Sequence, residues 1–226
     1  MGALILSPRL ECVADFVSNK TVADIGTDHG KLLIALAQNG KLKKGIGSDV
    51  AEGPASACRS NVLSFGFSDI IEIRVGDGLK TLVPGEAETV VIAGMGGELI
   101  AKILGACPET VRSAKEFVLQ PMTNTDKFLA LLPKLGIKVT DGCLAKEGDK
   151  LYRIFKCMPG KSELTPFETV ICPVFKNDPL LSLLLAQELS KAQKKLSGLQ
   201  NGKNDAKAEC DALRALIKEL ENYETN

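Results

Sequence analysis

At 226 residues, 45% of them apolar, the chain is long enough for one medium domain with its own core plus an appendage. Lys plus Arg equal Asp plus Glu at 28 each, which excludes a globally basic nucleic-acid binder and leaves room only for a local basic patch. Seven scattered cysteines without a C-x-x-C pair, beside a single histidine, argue against a bound metal; the odd count and the lack of a leader or membrane-length apolar run predict buried, reduced thiols in a cytoplasmic protein, with a monomer favoured.

Along the chain, apolar residues at helical spacing after Ser7-Pro8 predict a first helix within 4–18. Strands and helices then alternate. Strands are expected at Thr21–Ile25, Lys44–Val50, Ile70–Val75, Glu88–Ala93 and Phe117–Gln120. Helices are expected at Lys31–Asn39, Pro54–Gly66, Glu98–Leu104 and Thr125–Leu135. Two closing strands, near Ile137–Leu144 and Tyr152–Cys157, are close enough to pair as a hairpin. This rhythm predicts a mostly parallel α/β sheet with helices on both faces and an antiparallel last strand.

After Met158-Pro159-Gly160 the texture changes. Leu181, Leu185, Leu189, Ala192, Leu196 and Leu199 recur at heptad steps, as do Ala206, Cys210, Leu213, Ile217 and Leu220. Asn201–Asp205 is a turn signal between them. The pattern predicts an antiparallel coiled-coil hairpin, with two helices lying on the main domain as the plainer reading. The expected division is 1–160 for the sheet domain and 161–226 for the hairpin. That second segment holds nine basic and ten acidic residues, so it is not basic as a whole. Lys191, Lys194, Lys195, Lys203 and Lys207 nevertheless flank the turn and predict a phosphate-contacting tip.

The chemistry gathers at strand ends, where open α/β sheets bind ligands. The first strand runs into Asp24-Ile25-Gly26-Thr27-Asp28-His29-Gly30, an acid followed by a glycine turn and a helix. A dinucleotide turn reads Gly-x-Gly-x-x-Gly and seats a pyrophosphate. Here Asp28 stands at the second glycine, where its charge opposes phosphate. S-adenosylmethionine carries a sulfonium and an ammonium and no phosphate, so the acids favour it over a nicotinamide cofactor. Asp49, nineteen positions past Gly30, suits a ribose diol, unless it merely ends its strand. Asp77, between Gly76 and Gly78, suits an adenine amino group or is a plain turn residue. Ala93-Gly94-Met95-Gly96-Gly97 gives a backbone with few side chains to block a ligand, and Gln120 closes the fifth strand. The predicted cofactor-binding set is Asp24, Gly26, Asp28, Gly30, Asp49, Asp77, Gly78, Ala93 and Gly94.

Five motifs carry a family resemblance: Asp24 to His29, Gly53-Pro54, Arg74 to Leu79, Ile92 to Gly97, and Leu119-Gln120-Pro121. With Leu6-Ser7-Pro8-Arg9-Leu10 and Lys150-Leu151-Tyr152, they resemble the TrmK family of bacterial tRNA methyltransferases that act on N1 of adenine 22. The resemblance spans residues 6 to about 157. It implies a Rossmann-like class I methyltransferase fold, S-adenosylmethionine as cofactor, tRNA as partner and a C-terminal coiled coil. Adenine N1 presents a lone pair and no proton, so the site needs to align the ring more than to deprotonate it. An acceptor at the amino edge would stabilise the methylated cation, a role open to Asp28 or His29, with Gln120 or Asn124 orienting the base. The catalytic set expected on this basis is Asp28, His29 and Gln120. Two rivals are a non-catalytic RNA- or protein-binding module on this fold and a small-molecule methyltransferase. The intact acids speak against the first and the hairpin against the second.

Overall fold

The computed structural model describes residues 2, 4–200 and 207–223, which form two compact units, Met1–Glu163 and Leu164–Asn226. In the first unit the elements are α1 (Pro8–Phe16), β1 (Thr21–Ile25), α2 (Lys31–Gln38), β2 (Lys44–Asp49), α3 (Glu52–Ser64), β3 (Ile71–Val75), β4 (Thr89–Met95), α4 (Gly97–Ala106), α5 (Pro108–Ser113), β5 (Glu116–Pro121), α6 (Thr125–Leu131), β6 (Ile137–Glu147) and β7 (Lys150–Pro159). The seven strands form one sheet in the order β3-β2-β1-β4-β5-β7-β6. β1 to β5 pair in parallel, and β7 runs antiparallel to both β5 and β6.

The central strands are buried nearly throughout, as helices on both faces require. Val22 to Ile25, Thr89 to Ile92 and all of β5 are inaccessible to solvent or nearly so. α2 buries the apolar run Leu32 to Leu36, α4 buries Ile100, Ala101, Ile103 and Leu104, and Phe117, Phe128 and Phe155 are fully enclosed. Scarce aromatics therefore concentrate where volume is needed. At the start of β5 the buried Glu116 carboxylate accepts from Ser18 N at 2.8 Å and Thr89 Oγ1 at 2.6 Å, and pairs with Lys156 at 3.3 Å. Its single charge is thus met within the fold.

Parallel register brings the carboxyl ends together. Ile25 lies beside Ser48 on one side and Ile92 on the other, and Asp49 beside Val75. Between β4 and β5 the register shifts from Ala93 to Met95, leaving Gly94 bulged at φ +82°. A bulge there releases one N–H from the ladder and aims it at a side chain.

The second unit comprises α7 (Pro166–Val170), α8 (Leu181–Gln200) and α9 (Lys207–Glu221). α7 opens with a capping box between Thr165 and Glu168. α8 and α9 pack together as a helical hairpin, burying Leu181, Leu184, Ala192, Cys210, Leu213 and Leu220. Lys195, late in α8, pairs with Glu209, early in α9, at 2.8 Å. The buried seam includes Leu184 where heptad spacing points to Leu185, which is half-buried. The expected turn Asn201–Asp205, with Lys203, lies outside the described residues, as does Ala206. α5 and α7 have no counterpart in the expected elements, being too short for a periodic signal. No helix among the described residues is long and apolar enough to cross a membrane.

Candidate active site

The turn between β1 and α2 is held by backbone bonds to the neighbouring strand. Gly26 N and Thr27 N both donate to Ser48 O, at 2.8 and 3.0 Å. Gly26 sits at φ +76°, and a Cβ there would lie 2.2 Å from Met95 Cε. Gly30 caps α2 at φ +71° directly over Cys58 Sγ. Both positions thus favour glycine for its left-handed backbone conformation. Asp28, without that freedom, still adopts φ +50°. Strain of this kind marks sites the surroundings over-determine.

A cavity of about 340 Å³ opens at this turn, lined by Asp24, Gly26, Thr27, Asp28, His29, Ala93 and Gly94, with Arg9 and Leu10 from α1 and Lys31 and Leu32 from α2. Asp24 is 6% exposed. Burial pushes its carboxyl up to about 6, against opposing pulls from the Thr27 hydroxyl and the Arg9 charge, with Asp28 adding a smaller upward push. Ser48 Oγ is buried without a hydrogen-bond partner. Asp28 and His29 stand exposed at the mouth, Asp28 Oδ1 lying 3.6 Å from His29 Nε2.

The remaining expected residues fall outside this cavity. Asp49 ends β2 half-buried and accepts from Ala51 N at 3.0 Å, with Val50 beside it 74% exposed. Asp77 is exposed and bonded to Lys80 Nζ at 2.6 Å, which holds its carboxyl below the usual range. Gly78, at φ +56°, starts a short 3-10 turn over Ile103, so its part is to shape the backbone. Gln120 departs most from expectation. It is wholly buried, with Oε1 accepting from Gly94 N at 3.0 Å and Arg9 Nη1 at 2.8 Å, and Nε2 donating to Pro121 O at 3.0 Å and Met122 Sδ at 3.4 Å. Its amide is fully committed, so it holds Arg9 and the Gly94 bulge instead of facing a base. Asn124, at φ +53°, caps α6 and donates to Glu98 at 3.3 Å.

Arg9 is the residue that the strand-end reading does not find. Its backbone N donates to Glu147 Oε1 at 2.8 Å, and its guanidinium lies 5.6 Å from the centre of the Tyr152 ring. The signal was its place in the Leu6–Leu10 motif, but no local spacing reports a partner 111 residues away.

The cavity fits the cofactor expected from the acids. A buried carboxylate of raised pKa stabilises on meeting a cation. Gly26 and Gly94 leave backbone open to approach, and Asp24 and Asp28 set two acids against the two basic residues of the lining, Arg9 and Lys31. Residues 6–155 match the family model described as a methyltransferase domain. The chain is 34% identical over 161 residues to the Bacillus subtilis tRNA (adenine(22)-N(1))-methyltransferase, covering 71% of this chain and 68% of that protein. The crystal structure of the B. subtilis adenine-22 tRNA methyltransferase TrmK superposes with a TM-score of 0.86 at 28% identity, covering 96% of this chain and 98% of that one. A Streptococcus pneumoniae protein solved in complex with S-adenosyl-L-methionine gives 0.85, again at 28% identity and with 96% and 98% covered. Matched over this length in sequence and in fold, the chain belongs to the TrmK family of methyltransferases.

Proposed function

We propose that this protein transfers a methyl group from S-adenosylmethionine to N1 of adenine 22 in tRNA. The observation that carries the reading is the cavity beside β1 and β4, where buried Asp24 faces bare backbone at Gly26 and Gly94. When bound, the cofactor supplies an electrophilic methyl group on a sulfonium. Asp24 would hold its ammonium, the turn Gly26–Gly30 its amino-acid portion, and Asp49 its ribose hydroxyls beside the exposed Val50. Ala93 and Gly94 leave the target ring space to approach.

Adenine N1 has no proton to lose, so the chain's task is alignment and charge stabilisation. Asp28 stands at the cavity mouth with an acceptor-only carboxylate suited to the adenine amino edge. His29, whose Nε2 lies 3.6 Å from Asp28 Oδ1, is the other candidate for that edge. Gln120 acts through Arg9 and the Gly94 bulge and is a positioning residue. The target base lies in folded tRNA and reaches the cavity by leaving its stack.

The test is incubation of the protein with unmodified tRNA and S-adenosylmethionine, followed by mass spectrometry of the nucleosides. We expect 1-methyladenosine, lost when adenine 22 is replaced by guanine. Cofactor binding by calorimetry without any methylated product would instead support a binding module on this fold.

A further inference from the structure

The Arg9 charge is felt by buried Asp24 in the same cavity, but its direct partners are neutral. Its guanidinium partners are a neutral amide, Gln120 Oε1 at 2.8 Å, and the Tyr152 ring at 5.6 Å. Among the described residues no carboxylate forms an ion pair with it. Glu147 accepts its backbone N–H and feels its charge without forming an ion pair. The side chain is nevertheless fixed, because Gln120 is wholly buried and also grips Gly94 N. A Cβ on Gly94 would lie 3.7 Å from Arg9 Nη1, so the guanidinium borders the bare backbone where the acceptor ring is expected. The result is a flat, immobilised, permanently charged plane backed by an aromatic ring at the wall of the cavity.

Resting on the tRNA adenine reading, we propose that this Arg9 plane is the platform on which the extruded adenine stacks, and that its charge ejects the methylated product. Unpaired bases stack on arginine planes as well as on aromatic rings. Neutral adenine accepts such a neighbour. Methylation forms the N1–carbon bond while the carbon–sulfur bond breaks with its electron pair left on sulfur, so the ring takes up the positive charge. A cationic ring facing a guanidinium pinned by neutral partners is repelled. The same contact thus favours substrate and disfavours product, in a pocket whose acids Asp24 and Asp28 would otherwise retain a cation.

The experiment uses the full chain, an unmodified tRNA transcript and the same transcript carrying 1-methyladenine at the target position. Affinity for each is read by fluorescence anisotropy, alongside KM for tRNA and for cofactor and a thermal melt. The wild type is expected to bind the methylated transcript about tenfold more weakly than the unmodified one, the size of one base-stacking contact. Arg9→Met should lose both affinity for unmodified tRNA and the discrimination. Arg9→Lys should keep discrimination but raise the tRNA KM, since an ammonium offers charge without a flat face. An unchanged affinity ratio in Arg9→Met overturns the proposal. A higher cofactor KM with tRNA parameters intact also overturns it, and assigns Arg9 to the cofactor carboxylate. If Arg9→Met does not fold, Arg9→Lys and Tyr152→Leu decide, and an unchanged tRNA KM in both is fatal. Failure of the wild type to form 1-methyladenosine sinks the underlying activity instead, and is read independently of these ratios.

Discussion

Two acids close turns along the same sheet edge, and their surroundings are opposite. Asp24, at the end of β1, is buried, its carboxyl raised to about 6 by lost hydration. Asp77, just past β3, is exposed, and Lys80 holds its carboxyl below the usual range. In sequence the two look alike, an acid within two residues of a glycine at the end of a strand. In the fold only Asp24 occupies a position that costs stability in the free protein. Such a cost is repaid when a cation binds. Asp77 already has its cation and gains less from a ligand.

Removing the Asp24 charge tests this contrast most strongly. Asp24→Asn is expected to weaken S-adenosylmethionine binding by about 3 kcal/mol, the scale of a broken buried ion pair. The free protein should become more stable near neutral pH. The sign follows from linkage: a raised carboxyl pKa means the folded state binds more protons between the ordinary aspartate range and about 6. Wild-type stability contributed by this group therefore falls as pH rises through that window, and Asp24→Asn should flatten the fall. Calorimetry with cofactor and melts from pH 4 to 7 measure both. A variant that binds cofactor normally would remove the distinction between the two acids.

Gly94→Val comes next. A β-branched side chain at φ +82° costs about 1–3 kcal/mol of local strain and intrudes beside Arg9 Nη1. Turnover should fall at least tenfold while cofactor binding is retained in part, because the turn after β1 is untouched. Single-turnover rates equal to wild type would place the acceptor ring elsewhere.

The glycine turn was legible in the sequence because its requirements are local. Gly26 and Gly30 need positive φ within a few residues of the acid they serve, and the alternation of strands and helices fixes which ends share an edge. The parts that were not legible are made by long-range contact. Gln120 looks like a ligand amide in sequence, yet its place is behind the wall, because α1 delivers Arg9 to it across the fold. Burial state also separates Asp24 from Asp77, and no spacing encodes it. The short helices α5 and α7 escaped for another reason: one or two turns carry too few residues to show a period.

Smaller effects compare Asp49 with Asp77. Asp49→Ala should weaken cofactor binding by about 1–3 kcal/mol, the cost of unmet polar partners on a bound ribose. Asp77→Ala should change it less, since its carboxylate is solvated and spoken for by Lys80. Parallel calorimetric titrations rank them. Equal losses would bring Asp77 into the cofactor site despite its exposure.

The same reasoning about committed charges bears on the hairpin, where the smallest effect is expected. Five lysines were read as one tip, but Lys195 is already paired with Glu209 at 2.8 Å and Lys191 with Glu188 at 3.5 Å. Lys194 and Lys207 are exposed, and Lys203 lies outside the described residues. A lysine that pairs with glutamate must exchange that partner for a phosphate, so its net gain on binding RNA is smaller. If the hairpin grips tRNA, Lys194→Gln with Lys207→Gln should weaken binding and reduce the log–log salt slope by about 0.7–0.9 per lost contact. Lys191→Gln with Lys195→Gln should do less. Cofactor affinity should stay constant in both, because the turn after β1 keeps all its residues. Equal salt slopes in wild type and both double variants would show that these four hairpin lysines make no phosphate contact.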